Sequence, residues 1–183
     1  EGILGVVVPH GVLFRGGDEE TIRKGIVEND LIEAIIGLPS SLFYGTGIPA
    51  ILLIINKQKE NIKKGKILFI NAELGFKEGK KQNKLRIEDI EKILDAFNYL
   101  KEIKRFSKLV SIEEIKENSF NLNLIRYVDN SPPQENFDVK GILNGCIPIK
   151  EIQDEDIKSL IDGFDLSIIL NKKNNDYMEF KNE

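Results

Sequence analysis

The chain has 183 residues, 41 % hydrophobic and 31 % charged, enough for one domain with a real core and a possible appendage. No apolar run reaches the ~20 residues of a membrane helix, and the opening "EGILGVVVP" lacks a basic n-region, so neither a membrane span nor a signal peptide is read. A lone cysteine, Cys146, excludes an internal disulfide and fits a reducing, cytoplasmic setting.

The net charge of −4 is uneven: residues 1–56 carry −4, residues 57–108 carry +7 and residues 109–183 carry −7. The middle third is where a polyanion would be drawn, although a solvated lysine-rich helix and its loops account for it equally well.

In chain order, "ILGVVVP" (3–9) opens as a strand. "GGDEETIRKGIVEND" follows as a helix, with Asp18 as cap, Glu19 and Glu20 in the first turn and Ile22, Ile26 and Val27 as its stripe. Three more strands follow: "IEAIIGLP" (32–39), "AILLIIN" (50–56) and "KILFINAE" (66–73). All four are continuously apolar and β-branched, the pattern of strands covered on both faces. The first strand, helix and second strand read most simply as a parallel crossover. The short link from the second strand to the third suits an antiparallel return.

"RIEDIEKILDAFNYLKEI" (86–103) reads as an amphipathic helix with Ile87, Ile90, Ile93, Leu94, Phe97, Leu100 and Ile103 on one side. "SIEEIKEN" has Ser111 and Glu114 at capping-box spacing. "DNSPPQENFD" (129–138) reads as a linker, and "NKKNNDYMEFKNE" as a frayed tail. The expected organisation is an α/β sheet portion over 1–73, a basic loop and helices over 74–128, and a linker with a small helical extension over 129–183.

Most sites suggested by short motifs fail on chemistry. Gly16-Gly17 before a helix resembles a phosphate cradle, but three carboxylates in the next turn repel an anion. "YGTGIP" lacks the spacing and the following helix of a dinucleotide loop. In "NSPPQ", Ser131 and Gln134 stand where an amino-methyltransferase tetrad needs an amide or carboxylate and an aromatic. His10, the only histidine, cannot assemble a metal site alone; it reads as a hydrogen-bonded structural residue in preference to a general base. Cys146 has no activating neighbour in sequence and reads as inert. The adjacent aromatics of "LFYGTGIP", Phe43 and Tyr44, suit either a core plug or a platform for stacking a base.

Several long stretches in order carry a resemblance: "VVVPHGVLFRGGDEETIRKGIVENDLIEAIIGLPSSLFYGTGIPAILLIINK", "GKILFINAELGFKEGKKQNKLRIEDIEKI", "FSKLVSIEEIKENSFNLNLIRYVD" and "NSPPQENFDVKGILNGCIPIKEI". Together they resemble the modification subunit of type I restriction–modification systems, a DNA adenine-N6 methyltransferase, over about residues 3 to 153. The resemblance implies a doubly wound, Rossmann-like methyltransferase sheet, of which these would be the last three strands with the final one antiparallel, and a helical C-terminal extension. It implies S-adenosylmethionine as cofactor and DNA, a specificity subunit and a restriction subunit as partners. It also implies that the donor-binding loop and catalytic Asn-Pro-Pro-Phe tetrad lie upstream. The chain is therefore expected to be a piece of a longer subunit, inactive alone, in line with the absent initiator Met.

By the same resemblance Phe43, or else Tyr44, stacks on the extruded adenine, with Gly45, Thr46, Gly47, Pro9 and His10 around the pocket. Lys80, Lys81 and Lys84 become candidates for phosphate contact, and Gln82 and Asn83 brace their loop. The alternative expectation is a non-catalytic docking module for partner subunits. An unpaired sheet edge would invite self-association.

Overall fold

A computed structural model describes residues 2–131, 138–161 and 163–181. Contacts divide the chain into two units, Glu1–Ser131 and Pro132–Glu183.

The first unit runs β1 (Ile3–Pro9), a 3-10 turn (His10–Leu13), α1 (Asp18–Glu28), β2 (Ile32–Leu38), β3 (Ala50–Asn56), a second 3-10 turn (Asn61–Lys63), β4 (Lys66–Asn71), α2 (Ile87–Tyr99), β5 (Ser107–Ser111), α3 (Ile112–Glu117) and α4 (Leu124–Tyr127). Its five strands form one mixed sheet in the order β1-β3-β2-β4-β5. β3 lies antiparallel between β1 and β2, with Val6 opposite Leu53 and Leu52 opposite Ile36. β2 and β4 are parallel, with Ile36 opposite Ile70, and β5 runs antiparallel to β4. The antiparallel return expected between β2 and β3 is present. β1 and β2 are parallel as expected, but β3 is inserted between them.

The continuous apolar patterns arise because both faces of the sheet are covered. Successive side chains point to opposite faces. Ile35, Ile67, Phe69 and Val110 pack with Leu13, Val27, Leu122 and Leu124 from the α1, α3 and α4 side. Ala34, Ile36, Leu68 and Ile70 pack with Ala96 and Phe106, joined by Ile93 and Phe97 of α2. β1 is different: Ile3, Leu4 and Val7 are 69 %, 55 % and 49 % exposed, and its outer edge pairs with no described strand.

α1 begins one residue earlier than expected: Gly17, at φ 75°, is the N-cap and Asp18, Glu19 and Glu20 form the acidic first turn. Ile22 is exposed, while Arg23 is buried and donates to the carbonyls of Phe120 (2.8 Å), Val12 (3.0 Å) and Arg15 (3.0 Å). α2 stops earlier than expected, at Leu100 in the left-handed region, and Ile87, Ile90 and Leu94 of its stripe stay exposed. Ser111 caps α3 through the Glu114 amide at 3.1 Å; the Glu114 carboxylate turns to Lys108 instead of completing the box.

The second unit holds α5 (Val139–Leu143), β6 (Cys146–Pro148), α6 (Ile149–Ile152), α7 (Glu155–Leu160), a 3-10 turn (Leu166–Ile168), β7 (Leu170–Lys172) and β8 (Tyr177–Phe180), with a three-stranded sheet in the order β6-β8-β7. The tail expected to fray supplies β7 and β8, which pair antiparallel with Asn171 opposite Glu179. Most of the expected linker, including Gln134, lies outside the described residues. Among the described residues no helix is long and apolar enough to cross a membrane.

Candidate nucleic-acid interface

The directions of the strands collect the functional candidates at one end of the large sheet. The parallel strands β1, β2 and β4 end there at Pro9, Leu38 and Asn71, while β3 and β5 enter there at Ala50 and Ser107. The turn at His10, the loop 39–49 and the segment after Asn71 therefore emerge side by side. In open sheets this is the end that binds ligands.

The loop joining β2 to β3 presents its aromatics outward. Leu42 joins the core against α2 and roots the loop, whereas Phe43 is 40 % and Tyr44 83 % exposed. Neither is a core plug. Gly45 takes φ 78°, a conformation that disfavours any side chain, and Thr46 Oγ1 accepts from the Ile48 amide at 3.1 Å. At Gly47 an added Cβ would meet only Ser41 Oγ at 3.8 Å, so neither space nor φ requires glycine there.

A second loop grips this one. Lys77 and Lys84 pair across it through two backbone hydrogen bonds of 2.8 and 3.0 Å. At its tip a Cβ on Gly79 would fall 2.1 Å from the Gln82 carbonyl, so the turn is too tight for a side chain. Gln82 Nε2 donates to the Leu42 carbonyl at 2.5 Å. Asn83 Nδ2 donates to Ser40 O at 2.9 Å and its amide to Ser41 O at 2.9 Å. The expected bracing role of Gln82 and Asn83 thus extends to the aromatic loop itself. Lys80, Lys81 and Lys84 are exposed and make no ion pair with a described residue. A cleft of about 450 Å³ lies between the two loops, its lining including Ser40, Ser41, Phe76, Glu78, Lys80 and Lys81.

Pro9 pairs across the sheet with Ala50, beside the end of the aromatic loop. His10 follows in the 3-10 turn, its Nε2 3.5 Å from Glu73 Oε1. Among the described residues neither of these two atoms has a hydrogen-bond partner, so the hydrogen bond expected of the histidine is not seen at Nε2. The sequence did not single out Glu73. It follows β4, so only the parallel pairing of β4 with β2 carries it to the same sheet end as His10.

Away from this end, Lys173 Nζ lies 3.2 Å from Cys146 Sγ, a cation that sequence distance concealed. Among the described residues no His/Cys/Asp/Glu group is arranged to hold a metal ion.

The model of the N-6 DNA methylase family matches residues 1–136. The chain belongs to this family. It is 46 % identical over 159 residues to the type I restriction enzyme MjaVII methylase subunit of Methanocaldococcus jannaschii, covering 83 % of this chain and 28 % of that protein. It is 37 % identical over 161 residues to the type I restriction enzyme MpnII methylase subunit of Mycoplasma pneumoniae, covering 88 % of this chain and 29 % of that one. Among solved structures, a type I restriction-modification methyltransferase subunit from Streptococcus thermophilus superposes with a TM-score of 0.67 at 45 % identity, over 71 % of this chain and 27 % of the other. The EcoKI M protein, at 17 % identity and a TM-score of 0.55, shares the fold. The chain thus spans between a quarter and a third of the length of the curated relatives it matches.

Proposed function

We propose that this N-6 DNA methylase chain forms the base-facing part of the active site of an adenine-specific type I modification subunit. The observation that carries the reading is the exposed Phe43–Tyr44 pair, on a loop that Gln82 and Asn83 clamp at the ligand-binding end of the sheet. Methylating an exocyclic amine requires taking the base out of the stack, at a few kcal/mol. A ring stacked on the extruded base returns ~1–3 kcal/mol of that.

Phe43 is the favoured stacking partner: next to rooted Leu42, it is less exposed than Tyr44 and better held. Pro9, His10, Gly45, Thr46 and Gly47 line the approach, and Lys80, Lys81 and Lys84 take backbone phosphates. The order β1-β3-β2, with β3 antiparallel between two parallel strands, supports a Rossmann-like methyltransferase sheet, which β4 and β5 continue beyond β2. The exposed apolar edge of β1 suits pairing with a further strand or a second copy.

The residues present do not fit S-adenosylmethionine. The cleft between the two loops sets Lys80 and Lys81 against a single carboxylate, Glu78, a net positive lining that disfavours a sulfonium cation. We assign the donor and the catalytic tetrad to other parts of a longer subunit, and the chain alone to inactivity. Micromolar donor binding to the isolated chain, measured by calorimetry, would refute that assignment. The stacking role is tested in the longer subunit by 2-aminopurine placed at the target base: wild type raises its fluorescence on extrusion, and a Phe43→Ala variant quenches it less and turns over more slowly.

A docking role for the second unit is the other reading, favoured by its surface. Val139, Ile142, Leu143, Phe164 and Ile168 are 52–80 % exposed in an acidic part of the chain. Such a surface suits a specificity or restriction subunit better than DNA. Pull-down of the specificity subunit by residues 132–183 tests it, and failure to capture would count against it.

A further inference from the structure

A second basic cleft lies at the same end of the sheet. It holds about 550 Å³ between the exit of β4, the first turns of α2 and the entry to β5, and its lining includes Arg86, Lys92, Lys104, Arg105, Asn71 and Phe106. Four cations face two carboxylates there, and both carboxylates are already taken by Arg86. Its guanidinium lies 2.8 Å from Asp89 Oδ1 and 2.9 Å from Asp89 Oδ2, and Nη1 lies 3.1 Å from Glu88.

The other three cations form no ion pair with a described residue. Lys92 Nζ sits 4.1 Å from the centre of the Phe106 ring, which holds the ammonium at the cleft wall without neutralising it. Arg105, at φ 64°, donates to the neutral carbonyls of Asn130 (3.0 Å) and Ser131, which fixes the guanidinium; the Asp129 carboxylate feels its charge but forms no ion pair with it. Lys104 is exposed and forms no ion pair with a described residue.

Leu74 and Gly75 line this cleft and Phe76 lines the one beneath the aromatic loop, so the two are consecutive along one segment of chain. Duplex DNA carries one charge per ~1.7 Å of axis, so a duplex lying along this sheet end meets both clefts at separate phosphates.

We propose that Lys92, Lys104 and Arg105 form a second phosphodiester-binding site, separate from Lys80, Lys81 and Lys84. The site grips the DNA backbone on the β5 side of the aromatic loop. The inference rests on the reading that this sheet end faces DNA.

The test is the salt dependence of duplex binding by the full chain, followed by fluorescence anisotropy of a short labelled duplex. Each phosphate contact contributes about 0.9 to the slope of log K against log salt, so Lys92→Gln with Lys104→Gln lowers the slope by about 1.8, and Lys→Arg at both positions restores it. Lys101→Gln, whose ammonium pairs with Asp95 at 3.0 Å outside the cleft lining, leaves the slope unchanged. Lys104→Gln alone, expected to lower the slope by about 0.9, keeps the test decisive if losing the Lys92–Phe106 contact destabilises the fold. A slope that falls for Lys80→Gln with Lys81→Gln but not for the cleft variants overturns the second site and leaves the DNA-facing reading standing. No salt-dependent duplex binding by the wild-type chain overturns both.

Discussion

Asn83 donates its side-chain amide to the Ser40 carbonyl at 2.9 Å, a bond spanning 43 residues that fixes the root of the aromatic loop to the basic loop. Its Oδ1 also accepts from the Gly79 amide at 3.3 Å, so one buried side chain holds both loops in shape. Asn83→Ala strands these partners at a cost of about 1–3 kcal/mol. We expect faster hydrogen exchange at residues 41–48 with little change in the β2 and β4 amides. Unchanged exchange in the loop would show that the clamp is dispensable.

Arg23 predicts a larger loss. It replaces the apolar residue that the α1 stripe calls for, and its three carbonyl partners join α1 to the turn after β1 and to Phe120. Burial pulls its guanidinium below the ordinary arginine range, opposed by the charges of Glu20 and Glu19. Arg23→Met leaves those carbonyls without their donor, at about 1–3 kcal/mol for each that stays buried. Urea denaturation should show a midpoint well below wild type with an unchanged slope.

Glu33 gives the fold an acid limit. Burial pushes its carboxyl up, but hydrogen bonds from Lys63 and Asn56 and the charges of Lys63 and Lys59 outweigh that and hold it below its ordinary value of 4.5. A carboxyl whose folded value is depressed contributes stability that is present above its ordinary value and lost as pH falls through the folded one. Thermal melts should therefore fall below about pH 4.5, and Glu33→Gln should flatten that part of the profile while lowering stability at neutral pH. An identical acid limb in the variant would place the titration elsewhere.

What the sequence made legible follows from the range of the interactions involved. β2 to β4 could be read because burial leaves an unbroken run such as "AILLIIN", and β1 carries the same kind of run although much of it is exposed. β5 could not: "SKLVS" is short and alternates, and it is defined by pairing Leu109 with Leu68 rather than by its own composition. β7 and β8 were hidden for the same reason, with Asn171 and Lys172 inside a strand and Met178 facing Lys172 across the pair. Phe43 and Tyr44 stood out as residues, but their exposure is decided by Leu42 taking the core position and by Gln82 and Asn83 closing from 40 or more residues away. The approach of Glu73 to His10 depends on strand order, which no local pattern records.

The most direct test of the central claim is the methylation rate of the longer subunit carrying Phe43→Ala. Loss of ~1–3 kcal/mol of base stacking corresponds to a fall of about 5- to 150-fold in kcat/KM. Tyr44→Ala should fall less, and the melting temperature should stay near wild type because Phe43 lies outside the core. A Phe43→Ala subunit that methylates DNA at the wild-type rate would contradict the account.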